Sequence, residues 1–306
     1  MQKSYINSLY ELLKSDSNVI SCLSDSGTDY DEMIARELPK QVINFGISEN
    51  NKVAAAAGLA SCGKIPFVYT TNAFIAYRSY EFVRNDICLQ NQNVKLVGMG
   101  SGLAWSTLGC THHTTEDLSA LKALPNLVLL NPASPKELEV CVKEAYKING
   151  PVYIRMGMSG EEEIYEGDVP FKLGKNNIIR KGTDGVIFVT GSIISEVLSA
   201  CDKLKEDGLS FEVINVCSIK PFDSKSVINE SKKHNIIFSV EEHNIIGGLG
   251  SSIADVIAAE GLNTKLIKIG LNDSFASGYG THKEVLIQNH LDSNSIYKKI
   301  KATLKK

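Results

Sequence analysis

Three things are scarce in this 306-residue chain, and each scarcity removes a class of function. Positive charge is not in excess: Lys and Arg number 32 against 35 Asp and Glu, a formal net charge of -3. A basic footprint for nucleic acid is therefore missing. No apolar run approaches the roughly 20 residues that a membrane-spanning helix needs. Residues 1–7 lack the sustained apolar core of a signal peptide. The expectation is a chain with neither nucleic-acid nor membrane partners. Cysteine pairs are lacking too. Cys22, Cys62, Cys88, Cys110, Cys141, Cys201 and Cys217 are scattered singly, with no CxxC spacing. That argues against a metal cage or a disulfide framework and fits reduced thiols in a cytoplasm.

What is present is ordinary globular material, 43% hydrophobic and 22% charged, in a chain long enough for two domains with a core each. Short β-branched runs at residues 18–23, 66–70, 94–98, 127–130 and 152–155 alternate with stretches of helical period. That alternation indicates a parallel sheet flanked by helices. Between residues 158 and 182 the rhythm lapses at Gly160, Gly167, Pro170, Gly174 and Gly182, which reads as a linker. It resumes with strands at 185–190, 211–216, 235–240 and 265–269. The expected fold class is α/β: two doubly wound α/β domains, 1–157 and a smaller 183–306, joined by the linker 158–182.

Four segments carry candidate chemistry. In Asn44-Phe45-Gly46-Ile47-Ser48-Glu49-Asn50 a carboxylate follows a glycine turn and enters a helix of small residues. Phe74, Tyr77 and Tyr80 recur every third residue and share one broad helical face, suited either to core packing or to stacking a flat heterocycle. Thr111-His112-His113-Thr114-Thr115-Glu116-Asp117 offers a histidine whose pKa lies near neutrality. Asp25 ends the first strand and fits a ligand contact or a helix cap equally well. Gly247-Gly248-Leu249-Gly250 has neither the GxGxxG nor the P-loop spacing of a nucleotide site.

Together these segments resemble the transketolase family. The match covers "GI-x-E" at Glu49, "F-x-x-F/Y-x-x-Y" at Phe74, "T-H-Q-x-x-E-D … L-P-N" from Thr111 to Asn126, and "EEH-x-x-x-GGLG" from Glu241 to Gly250. The resemblance implies a thiamine-diphosphate pyrimidine-binding domain followed by a Rossmann-like transketolase C-terminal domain. It implies that Glu49 hydrogen-bonds the aminopyrimidine of thiamine diphosphate and switches the cofactor on. Phe74, Tyr77 and Tyr80 then wall the pyrimidine pocket, Asp25 lies near the cofactor, and His112 handles protons on sugar hydroxyls. The implied reaction moves a two-carbon ketol unit from a ketose to an aldehyde.

The family's "G-D-G" with a downstream asparagine, which holds Mg2+ and the diphosphate, is not found. The resemblance thus implies a partner subunit that carries the diphosphate-binding domain and the metal, in an α2β2 assembly, with an exposed apolar interface around Glu49 and Phe74. Gly100 and Leu108 stand where the family places a histidine and an aspartate. Arg155 keeps one expected phosphate-binding arginine, while Met158 replaces the second. These departures point to a non-standard substrate, unphosphorylated or nucleotide-linked. Alternatives with related domains are a deoxyxylulose-phosphate-synthase-like subunit, a β subunit of a 2-oxoacid dehydrogenase, and a non-catalytic scaffold.

Overall fold

The computed structural model describes residues 1–24, 29–158 and 160–305. The first half contains strands β1 (Val19–Leu23), β2 (Val42–Asn44), β3 (Ile65–Thr71), β4 (Lys95–Met99), β5 (Val128–Leu130) and β6 (Val152–Met156). Its helices are α1 (Gln2–Ser15), α2 (Asp29–Glu37), α3 (Glu49–Ser61), the single turn α4 (Tyr80–Phe82), α5 (Asp117–Lys122) and α6 (Pro135–Lys147). Two π-helical turns, Phe74–Arg78 and Val83–Cys88, flank α4. The second half contains β7 (Asn177–Arg180), β8 (Gly185–Thr190), β9 (Phe211–Asn215), β10 (Ser218–Lys220), β11 (Ile236–Asn244) and β12 (Lys265–Leu271). Its helices are α7 (Ile194–Glu206), α8 (Ser224–Ser231), α9 (Leu249–Ala259), α10 (His282–Gln288) and α11 (Ser293–Leu304).

Two sheets result, with strand orders β10-β5-β6-β4-β3-β1-β2 and β12-β11-β8-β9-β7. All pairings are parallel except β10 with β5 and β7 with β9. Strands β1, β4, β6, β8 and β9 are buried throughout. Such strands read as continuous apolar runs because helices cover both faces. Helix ends are set locally. Ser134 accepts a hydrogen bond from Glu137 N ahead of Pro135, and Thr281 with Glu284 forms a reciprocal capping box.

Every strand expected from the sequence is present, and three more appear. Strand β7 lies inside the segment read as linker, where it lines the edge of the second sheet against β9. The two halves also share one core. Leu118, Leu121 and Leu124 of the first half belong to the same buried cluster as Val186, Ile219, Leu249 and Ile253 of the second.

A second correction concerns Arg155. It is 2% exposed, so it is no donor for a substrate phosphate. Its Nε donates to Asp117 Oδ2 at 2.8 Å, and its Nη2 donates to the carbonyls of Thr114 (2.7 Å) and Glu242 (3.2 Å). Tyr153 also donates its hydroxyl to Asp117 Oδ2 at 2.8 Å. A buried ion pair is tolerated only when its remaining hydrogen-bonding capacity is used, and losing one partner strands the other charge. Asp117→Ala is therefore expected to cost about 3–5 kcal/mol of stability, measured by urea unfolding. A loss comparable with that of a surface substitution contradicts this account.

Candidate active site

The carboxyl ends of β1 to β4 point to one edge of the first sheet, and the segments that leave them carry the candidate residues. In parallel α/β sheets this edge is where ligands bind. After β2 the chain turns at Gly46 (φ +63°), with Asn44 Oδ1 accepting from Gly46 N at 2.8 Å. Glu49 then opens α3, where the helix dipole favours a negative charge. It is 3% exposed, and its Oε2 accepts from Arg78 Nη1 at 2.7 Å.

After β3 the first π-helical turn brings Phe74 and Arg78 to the same place. The Arg78 guanidinium lies 4.4 Å from the centre of the Phe74 ring, a cation–π contact. After β4 a long loop returns His112, whose ring meets Phe74 edge-on at 5.4 Å and Trp105 at 6.2 Å. Thr111 Oγ1 lies 2.9 Å from His112 Nδ1. Glu49, Arg78, Phe74, His112 and Trp105 thus form one chain of contacts.

Tyr77 and Tyr80 turn toward the segment that begins α5. The Tyr77 hydroxyl donates to Glu116 Oε2 (2.8 Å) and accepts from Glu116 N (3.0 Å). Tyr80 donates to the Ala120 carbonyl at 3.3 Å. Tyr77 keeps a 40% exposed ring, while Tyr80 is half-buried against the core. Asp25 lies outside the described residues. Leu108 is exposed on the loop that leads to His112.

Three residues that sequence reasoning passed over belong to this edge. Arg78 is the first. Lys52 is the second: it is fully buried one turn after Glu49 and donates to the Tyr69 carbonyl at 2.9 Å and to the Ser24 hydroxyl. Burial lowers its pKa to about 8, against the opposing pull of Glu49. Its sequence signal was a lysine beside core-facing Val53, with Ala56 one turn further on. Trp105 is the third; its indole Nε1 donates to the Met99 carbonyl at 3.3 Å.

The second half contributes through the end of β11. Glu241 accepts from Leu249 N (2.7 Å) and Gly250 N (2.8 Å), so its carboxylate fills the N-terminus of α9. A Cβ on Gly248 would lie 1.9 Å from Glu241 Oε2, which explains the glycine. The would-be phosphate cradle is thus occupied by the chain's own anion. Glu242 accepts from Leu103 N at 2.5 Å and lies 2.8 Å from His282 Nε2. Asn244 N donates to the Thr115 carbonyl at 2.7 Å. The "EEH" segment therefore holds the loop of His112. His113 is buried beside this junction with no hydrogen-bond partner at either ring nitrogen, and burial lowers its pKa.

The arrangement is two α/β layers with a buried carboxylate and an aromatic cluster at one sheet edge. Comparison with known proteins makes it specific. The family model for the transketolase pyrimidine binding domain matches residues 1–159, and that for the transketolase C-terminal domain matches residues 174–292. The chain belongs to the transketolase family. It is similar, 38% identical over 100% of this chain and 96% of the other, to a protein of Methanocaldococcus jannaschii named for a transketolase C-terminal section. It is 36% identical to one of the apulose-4-phosphate transketolase subunits of Actinobacillus succinogenes, over 85% of this chain and 84% of that one. Among solved structures, one described as a split gene transketolase, inactive beta4 tetramer, superposes with TM-score 0.91 at 31% identity, over 99% of this chain and 98% of that one.

The junction titrates in a defined direction. The Glu242 carboxylate raises the pKa of His282 against burial. Burial pushes Glu242 up, but the His282 charge and the hydrogen bonds from His282 and Leu103 outweigh it and hold it low. A raised folded-state histidine pKa stabilises below the unfolded value near 6.5, and the gain is lost as pH rises through the folded value. The depressed Glu242 contributes above its unfolded value near 4.3. His282→Gln should therefore lower stability at pH 6 and have a vanishing effect at pH 9, read by urea unfolding. An equal loss at both pH values contradicts the pairing.

Proposed function

We propose that this chain is the catalytic C-terminal subunit of a two-chain, thiamine-diphosphate-dependent transketolase. The observation that carries the reading is the burial of Glu49 at the N-terminus of α3, with Phe74 and His112 gathered at the same sheet edge. The residues fit the pyrimidine half of the cofactor: an acid for a ring nitrogen, aromatic faces for the ring, and no competing phosphate cradle. When bound, the cofactor supplies the carbon nucleophile and the electron sink.

This chain's residues have separate tasks. Glu49 would hold the pyrimidine nitrogen of the cofactor through a shared proton. Arg78 holds Oε2 of Glu49, so the task falls to Oε1. Phe74 would stack the ring, with Tyr77 and Tyr80 completing the wall; Tyr77 and Tyr80 hold Glu116 and the Ala120 carbonyl. Asp25 is carried as a cofactor contact by the family resemblance alone. His112 accepts and returns the proton of a sugar hydroxyl as the ketol unit moves. Mg2+ and the diphosphate belong to the partner subunit, in an α2β2 assembly in the cytoplasm. Ile47, Tyr77 and Leu108 are exposed around the site, an apolar surface suited to that partner.

The substrate is a non-standard sugar. Arg155 is sealed in an ion pair, and positions 100, 108 and 158 supply no charge, so the usual phosphate clamp is not built here. The similar subunit named for apulose-4-phosphate supports a sugar outside the common pentoses, with any phosphate held elsewhere than by positions 100, 108, 155 and 158.

The experiment uses this chain with the product of a neighbouring gene that carries the "G-D-G" domain. Calorimetry should show cofactor binding to the pair and none to this chain alone; tight binding by the chain alone refutes the split site. Glu49→Ala in the pair should lower ketol transfer by on the order of 10²–10⁴-fold. Unchanged turnover would leave only a scaffold, and pyruvate decarboxylation by the wild-type pair would favour a 2-oxoacid enzyme.

A further inference from the structure

Gly100 and Trp105 are a matched pair. Gly100 has φ +80°, and a Cβ there would lie 2.2 Å from Trp105 Nε1 and 2.4 Å from its Cδ1. The indole occupies the volume that a side chain at position 100 would take. Because Nε1 is committed to the Met99 carbonyl, the rest of the ring is a carbon surface. That surface is half-buried and stands beside His112, whose ring in turn meets Phe74. Leu108 extends the same loop; its N–H donates to the Trp105 carbonyl at 3.0 Å, and its side chain is 45% exposed. Arg155 is sealed against Asp117, and Arg78, on the Phe74 ring, is paired with Glu49.

A substrate hydroxyl pressed on such a wall gives up water without gaining a partner, a cost of about 1–3 kcal/mol. A C–H face loses nothing there and gains contact with the ring. Resting on the ketol-transfer reading above, we propose that Trp105 is a specificity-determining residue: with Gly100 and Leu108 it makes an uncharged aromatic wall beside His112 that selects aldehyde acceptors with a deoxygenated carbon face.

The test compares two four-carbon acceptors, butanal and erythrose, in the reconstituted pair with hydroxypyruvate as donor. Hydroxypyruvate loses CO2, its two-carbon unit bonds to the aldehyde carbon, and the aldehyde oxygen takes up a proton. The kcat/KM ratio of butanal to erythrose should fall on the order of 10-fold in Trp105→Ser, mainly through KM, and recover in Trp105→Phe. An unchanged ratio in Trp105→Ser overturns the proposal. Glycolaldehyde, too short to reach the wall, reports on ketol transfer separately in the wild-type pair. Independently of turnover, Trp105 is the chain's single tryptophan. Its emission in the isolated chain should respond to n-butanol at concentrations where erythritol has no effect; an equal or reversed response overturns the proposal.

Discussion

The buried contact between Arg155 and Asp117 is the constraint on which the rest of the structure depends. Arg155 comes from the last strand of the first domain, and Asp117 from the start of α5, five residues after His112. The same guanidinium also holds the backbone of Thr114 and of Glu242. One charged group therefore joins a strand, the histidine loop and the far end of β11. Its cost in lost hydration is offset only because several acceptors converge on it. The gain is positional: the loop that presents His112 is fixed from behind by atoms that solvent does not reach.

In front of that rigid backing the site is asymmetric in charge. Buried Glu49 and half-exposed Arg78 form a pair at the mouth, and Lys52 lies beneath them without a carboxylate partner among the described residues. The rings of Phe74, under the Arg78 guanidinium, then His112 and Trp105 lead away from that pair. Charge is concentrated at the Glu49 end of this edge and thins toward Trp105. Preorganised polarity of this kind acts most strongly where water is excluded.

Much of this was legible in the sequence, and the reason is physical. Strands β1, β4, β6, β8 and β9 are fully buried, so each reads as a largely apolar run. Strands β2 and β10 are three residues long, and β7 is an edge strand of mixed polarity, so none carries a periodic signal. Glu49, Phe74 and His112 were visible because their spacing along the chain matches a family pattern. Arg155 was misread because the same arginine serves a solvent-facing anion or a buried partner, and only the fold decides between them. Trp105 was silent for a related reason. Its meaning lies in the empty side chain of Gly100, a complementarity between two positions that no single-residue propensity expresses. Tyr77 and Tyr80 were legible as a stripe but not as partners of Glu116 and Ala120.

Strand β10 comes from the second half of the chain, yet it pairs with β5 and closes the outer margin of the first sheet. The two halves are consequently not interchangeable modules. An N-terminal half severed before β10 bares the hydrogen-bonding groups of β5, an open margin prone to self-association. Any attempt to exchange one layer for that of a relative must therefore carry this short strand along with the first sheet, or leave that sheet unfinished.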